Sequence, residues 1–209
     1  EDDSASRQVT VESAIPDADL LRDYNAADLD LSDGETVSSW GGLSLANGSP
    51  TYRDSGPNGN PFVEFDSGDT LAETFSSDLT APFEIFIAGR WRSTDNSSFN
   101  YFYIDDDGFD YRLYGDDSSN PVPIAKGSSS VTGSQIDTNW HVYNVEHASS
   151  GDYLIDDASQ GSADLSATAS GIRLGRGAEG ASIAVGRVLI YSTTKDNSTS
   201  TKIHDVLSS

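Results

Sequence analysis

Apolar and polar residues alternate at period two along most of the chain, in short runs separated by Gly, Pro, Asn, Asp and Ser, and long helical periodicity is absent. The pattern predicts an all-β protein. Arg7 to Glu12 alternates and is then broken by Ile15-Pro16, so residues 1–16 are expected to be an arm, linker or edge strand preceding a domain that covers 17–209. Leu20 to Tyr24 reads as a strand, Ser32-Asp33-Gly34 as a turn, and Val37 and Trp40 as anchors of the next segment. The run Ser55 to Pro61 is too dense in Gly and Pro for ladder or helix. Phe62 to Phe65 and Thr70-Leu71 are short strands about the turn Asp66 to Asp69, and Phe83 to Trp91 is the strongest strand of all. Phe99 to Ile104 and Tyr111 to Tyr114 flank Asp105-Asp106-Asp107-Gly108 as a hairpin with an acidic connection. Further strands are Trp140 to Glu146, Tyr153 to Asp156, Gly171 to Gly175 and Ala181 to Tyr191, and Ile203, Val206 and Leu207 are spaced for one short C-terminal helix. Brief strands without helical crossovers close as a sandwich or barrel.

The order of several motifs adds to this. The chain carries Tyr24-Asn25-Ala26, Val37-Ser38-Ser39-Trp40, Pro61 to Asp66, Pro82 to Ile87, Trp140-His141-Val142-Tyr143, Tyr153 to Asp157, Ile172 to Gly175 and Gly186 to Tyr191. In that succession it resembles the concanavalin A-like, laminin-G-type jelly rolls over residues 18–207. The resemblance implies an antiparallel β-sandwich of two curved sheets, with loops at one rim and a concave face that binds glycans in many relatives. Such domains occur in adhesins, secreted polysaccharide-active proteins and viral fibre or capsid appendages.

Charge narrows the environment and the partners. Against 34 Asp and Glu stand 12 Lys and Arg, a formal net charge of -22. Short carboxylates hold water and cations close to the backbone, which suits a surface that must stay soluble where salt screens charge, so a halophilic archaeon or its virus is the expected source. A surface of this sign repels nucleic acid and anionic membrane, and no apolar stretch approaches the roughly 20 residues needed to span a bilayer. Neutral sugars and cations are easier ligands. Cysteine is absent, which excludes disulfides and thiolate metal sites. Methionine is absent even at position 1, so residue 1 is expected to be a processed or internal start.

Candidate chemistry is sparse. Glu64-Phe65-Asp66-Ser67-Gly68-Asp69 approximates the Glu-x-Asp-x-(x)-Glu strand of glucanases sharing the fold, but Ser67-Gly68 reads as a turn that loses the common face before a third acid arrives. No catalytic residue is assigned. Asp105, Asp106, Asp107 and Asp110 form the densest carboxylate cluster, a candidate Ca2+ loop beside the alternative of solvated acidic surface. Period two places Tyr101 and Tyr103 on one strand face. With Arg90, Arg112 and Tyr114 they make a candidate glycan platform, in which rings stack on sugar C–H faces and guanidinium groups bond hydroxyls. The alternative is cross-strand packing. Trp40, Trp91 and Trp140 read as packing residues, and His141 and His147 lack a third ligand for zinc. Asn47, Asn96 and Asn197 head N-glycosylation triplets in predicted loops.

The leading expectation is a non-catalytic recognition module on a virion or cell surface, where it binds glycans or assembles with copies of itself. The alternatives are a glycoside hydrolase of the same fold and a purely structural assembly module.

Overall fold

The computed structural model describes residues 14–94, 100–106, 110–116, 122–134, 136–175 and 183–209. Its strands are β1 (Leu20–Asn25), β2 (Ser39–Trp40), β3 (Leu43–Asn47), β4 (Thr51–Arg53), β5 (Phe62–Phe65), β6 (Thr70–Thr80), β7 (Phe83–Trp91), β8 (Asn100–Ile104), β9 (Arg112–Gly115), β10 (Pro123–Lys126), β11 (Ser130–Thr132), β12 (His141–His147), β13 (Gly151–Ile155), β14 (Ala158–Ala163), β15 (Thr168–Gly175) and β16 (Ile183–Tyr191), followed by helix α1 (Asn197–Ser208). Among the described residues they form two antiparallel sheets packed as a sandwich. The first runs β14-β13-β12-β7-β16-β5-β4, with β1 also on β16, and the second runs β11-β10-β9-β8-β15-β6-β3-β2. The all-β sandwich with one short C-terminal helix is the architecture the alternation predicts.

Several boundaries differ from expectation for a common reason. β6 is eleven residues long instead of a Thr70-Leu71 fragment, and β3 and β14 are strands with no forecast. Their residues are largely half-buried or exposed and rich in Ser, Thr, Gly and Ala, so they hold their places by ladder bonds without an apolar stripe to announce them. Residues 1–13 of the expected arm lie outside the described residues.

The core lies between the sheets. Phe83, Ile85, Ile87 and Trp91 of β7 point inward with Tyr143 and Val145 of β12 and Val188 and Ile190 of β16, against Phe102, Tyr103, Leu113, Ile172 and Leu174 of the second sheet. The sheets approach closely at Gly89, where a Cβ would sit 2.6 Å from the Phe102 ring. The Phe102 ring centroid lies 4.4 Å from that of Trp91 and 4.9 Å from that of Tyr143.

A second, smaller cluster sits on the outer face of the first sheet. Phe86, Leu189 and Tyr191 meet Ile203 of α1, with Ile15, Leu20 and Leu207 packed alongside. The helix starts at Asp196, whose carboxylate accepts from Thr199 N at 2.9 Å. Beneath the segment leading into the helix, Glu84 is fully buried and accepts from Asn144 Nδ2 and Lys195 N, each at 2.6 Å. Burial pushes its carboxyl up to about 7 in spite of those two bonds. In the main core, burial pushes His147 down to about 4; its Nδ1–H donates to Leu165 O and its Nε2 accepts from Tyr103 OH, the pattern of a neutral ring.

Two predictions follow from this packing. Gly89→Ala forces Phe102 out of its seat and is expected to cost about 1–3 kcal/mol, read as a lower denaturant midpoint; an unchanged midpoint refutes the close approach. Between pH 4.5 and 6.5 the folded chain keeps a proton on Glu84 that the unfolded chain releases, and lacks one on His147 that the unfolded chain carries. Glu84 therefore lowers stability as pH rises and His147 raises it. Glu84→Gln removes only the first effect, so across that window the stability slope should turn more positive by up to about 1.4 kcal/mol per pH unit, measured by unfolding at several pH values.

Candidate functional site

The predicted tyrosine platform is corrected by the structure. A β-bulge on β8, between Tyr101 and Tyr103 in the pairing with β9, turns Phe102 and Tyr103 both inward. Tyr103 is fully buried, 2.9 Å from His147. Tyr101 pairs with Tyr114 on the outer face, yet is only 3 % exposed, with its ring stacked 5.6 Å from that of Tyr114. The Arg112 guanidinium lies 4.8 Å from the Tyr114 ring centre. Tyr101, Tyr114 and Arg112 are thus brought together, but packed on one another. Arg90 is on the other sheet, separated from them by the core, and lies 5.8 Å and 5.5 Å from the ring centres of Phe62 and Trp140.

The acidic candidates are engaged separately. Asp105 is buried and accepts from Ser170 N and Oγ at 3.1 and 3.0 Å, and burial raises its pKa in spite of those bonds. Asp106 accepts from Thr74 and, at 2.8 Å, from Arg173. Asp110 is exposed, and Asp107 lies outside the described residues. Among the described residues no three acidic or histidine side chains gather as a metal site. Glu64 is held by Arg53 at 2.8 Å and Arg92 at 3.3 Å, and Asp66 by Arg92. Asp69 caps turns, accepting from Ser49 N and Asp66 N at 2.6 and 2.8 Å. Of the glycosylation candidates, Asn47 ends β3 and donates to Gly68 O at 2.8 Å, Asn197 opens α1, and Asn96 lies outside the described residues.

What sequence reasoning missed is a cleft of about 820 Å³ on the outer face of the first sheet. It arises from three neighbouring rows of outward side chains. One row, with Asn144, Phe86 and Leu189, carries the helix; another places Arg90 beside Ala184 and Glu64; between them run Val142, Ala88 and the Gly186–Arg187 bulge. Small residues flanked by large ones leave a trough, and Val142, Ala88 and Gly186 are its floor. The end of α1 forms one wall and is tied across by Asn58, whose Nδ2 donates to Ser209 O at 2.7 Å.

Trp140, His141 and Asp156 also line the cleft. Trp140 is half-buried, edge-on to Phe62 with 5.4 Å between ring centres. Asp156 sits with Asp157 in a tight turn, both at positive φ, and is pinned by Val142 N donating to its Oδ1 at 2.8 Å. His141 has a carboxylate at each nitrogen, Asp156 Oδ2 at 2.5 Å from Nδ1 and Asp137 Oδ1 at 3.0 Å from Nε2. Partial burial works against its charge, but the two carboxylates outweigh that and hold its pKa above the usual 6.5. In the trough, Arg187 donates Nε and Nη2 to the two oxygens of Asp23 at 2.8 and 2.6 Å. The site therefore offers an indole wall, amides, carboxylates and a narrow floor, a combination suited to a polyhydroxylated ligand.

No protein-family model matches the chain, and no curated protein sequence matches it. Solved structures share its fold. A sialidase from Trypanosoma rangeli, in complex with sialic acid, superposes with a TM-score of 0.65 at 10% identity, covering 93% of this chain and 34% of the sialidase. The binding domain of botulinum neurotoxin DC, in complex with SialylT, gives the same TM-score and identity over 93% of this chain and 52% of the toxin domain. Domain 4 of AbnA, an extracellular arabinanase from Geobacillus stearothermophilus, in complex with arabinotriose, gives 0.63 at 14% identity over 91% of this chain and 98% of that domain. The chain thus spans about a third of the sialidase and half of the toxin domain. At these identities the likeness shows a shared β-sandwich.

The His141 geometry yields a pH prediction. A folded-state pKa above the unfolded value means the stabilisation is complete below pH 6.5 and is lost as pH rises through the raised pKa. The wild-type melting temperature should fall above pH 6.5 by more than that of His141→Gln; parallel profiles would show that the imidazolium does not hold the two carboxylates.

Proposed function

We propose that this protein is a non-catalytic glycan-recognition module acting outside the cell, and that the cleft beside Trp140 is where it takes its ligand. The observation that carries this reading is the juxtaposition of an aromatic wall with amide and carboxylate groups above a floor of small residues. A sugar ring has one apolar C–H face and a polar rim, so it needs that pairing of surfaces. The carboxylates nearby support recognition in preference to hydrolysis: Asp156 is bonded to His141 and Val142 N, and Glu64 lies between two arginines. Neighbours of the same fold have been solved with a sialic acid and with arabinotriose, which makes a saccharide the natural first ligand to test.

Trp140 is also the natural reporter. Trp40 and Trp91 are buried in the core, so ligand in the cleft should change the intrinsic fluorescence mainly through Trp140. A Cβ at Gly186 would stand 3.7 Å from Trp140 and from Ala88 O, room enough for a small side chain that narrows the trough. Trp140→Ala and Gly186→Val are each expected to weaken binding of array-identified oligosaccharides by roughly tenfold or more while the fold is retained. Binding unchanged in both variants would remove the cleft as the site, and an array with no hit would remove the glycan function.

A further inference from the structure

We infer that the cleft selects uncharged glycans and discriminates against sugars bearing a carboxylate, such as sialic and uronic acids. The inference rests on the glycan reading above and names the ligand class of that same site. Among the described lining residues the cations are Arg187 and His141, and both are already engaged. Arg187 presents its guanidinium fork to Asp23 through two bonds, at 2.8 and 2.6 Å, which is the geometry a sugar carboxylate would otherwise claim. His141 has Asp156 on one nitrogen and Asp137 on the other. Arg90 stands outside the described lining, with its charge over Phe62 and Trp140.

The acids outnumber these cations. Asp156 and Asp205 are on the lining, and Asp23 and Asp137 stand directly behind it. Asp205 is exposed on the last turns of α1. A carboxylated sugar entering the trough therefore meets carboxylates, and the guanidinium on the lining already has its Nε–Nη2 edge and its charge taken up by Asp23. Hydroxyl groups face no such conflict, since carboxylates and amide oxygens accept their hydrogen bonds directly. The discrimination is local, so it should persist in salt concentrations that screen the overall charge of -22.

The test is an array of neutral oligosaccharides beside their sialylated and uronic-acid counterparts, run at low and at molar salt with the wild type, Gly186→Val and Asp205→Lys. Neutral ligands should bind in a manner lost in Gly186→Val, with the acidic counterparts roughly tenfold weaker or more at both salt concentrations. Asp205→Lys changes an exposed position near a helix C-terminus, where a cation is well tolerated. It should bring the acidic counterparts to within about threefold of the neutral ones. Acidic glycans that bind the wild type as tightly as neutral ones, and lose binding in Gly186→Val, overturn the charge selection while leaving glycan recognition intact. A gap unaltered by Asp205→Lys overturns it too. Binding of nothing, or binding indifferent to Gly186→Val, instead refutes the site itself.

Discussion

The packing of the two sheets is set in part by a close approach at one residue. At Gly89 the backbone of β7 is bare on its inner side, and Phe102 from the facing sheet lies against it, flanked by Trp91 and Tyr143. A ring seated on backbone brings the leaves together, and the large neighbours on either side then fill the remaining space. The same strand also builds the opposite surface. Its outward residues, Phe86, Ala88 and Arg90, carry in turn the helix cluster, the cleft floor and the cation beside Trp140. The register of β7 thus sets both the core and the site, and a one-residue slip would exchange them.

The buried ionisable groups follow the same division. His147 lies between the sheets, neutral and satisfied by Tyr103 and Leu165, and Glu84 lies under the segment that leads into the helix, satisfied by Asn144 and Lys195. Their displaced titrations oppose each other in slope over mildly acidic pH. Over that window these two interior groups largely cancel. His141 differs in kind, because its charge is supported by two carboxylates at the rim of the cleft and not suppressed by burial.

Much of the architecture was legible because inner strands such as Phe83–Trp91 and Ile183–Tyr191 carry dense apolar side chains and the turns between them carry Gly and Asp. Strands such as β14 were not, because an edge strand with little inward burden has no apolar period to display. The tyrosine pair failed for a specific reason: alternation counts residues, and one extra residue in a bulge moves Tyr103 from the outer face to the core. Nothing in the run Tyr101-Phe102-Tyr103 signals that bulge, since all three are aromatic. The cleft was illegible for the opposite reason, since its floor is made by Ala88 and Gly186, whose contribution is the absence of bulk. Trp140 and His141 were visible as residues, but their relation to α1 and to the Asp156 turn exists only once distant segments have been brought together.

The placement of the cleft follows from the same economy of side chains. An outer sheet face that carries apolar side chains must be covered, and Phe86, Leu189 and Tyr191 are covered by Ile203 and Leu207 of α1. A helix resting on one row stands above the sheet by about a side chain's length, so the adjacent row lies below it at the foot of a wall. Where that adjacent row carries bulky residues the step is filled; where it carries Ala88 and Gly186 it stays open. The loop tie from Asn58 to the end of the helix and the indole of Trp140 both border the step. The pocket is therefore a consequence of docking a short helix beside a row of small residues, and its polar character comes from the elements that happen to end there: the β13–β14 turn with Asp156, the start of β12 with His141, and the last turns of α1 with Asp205.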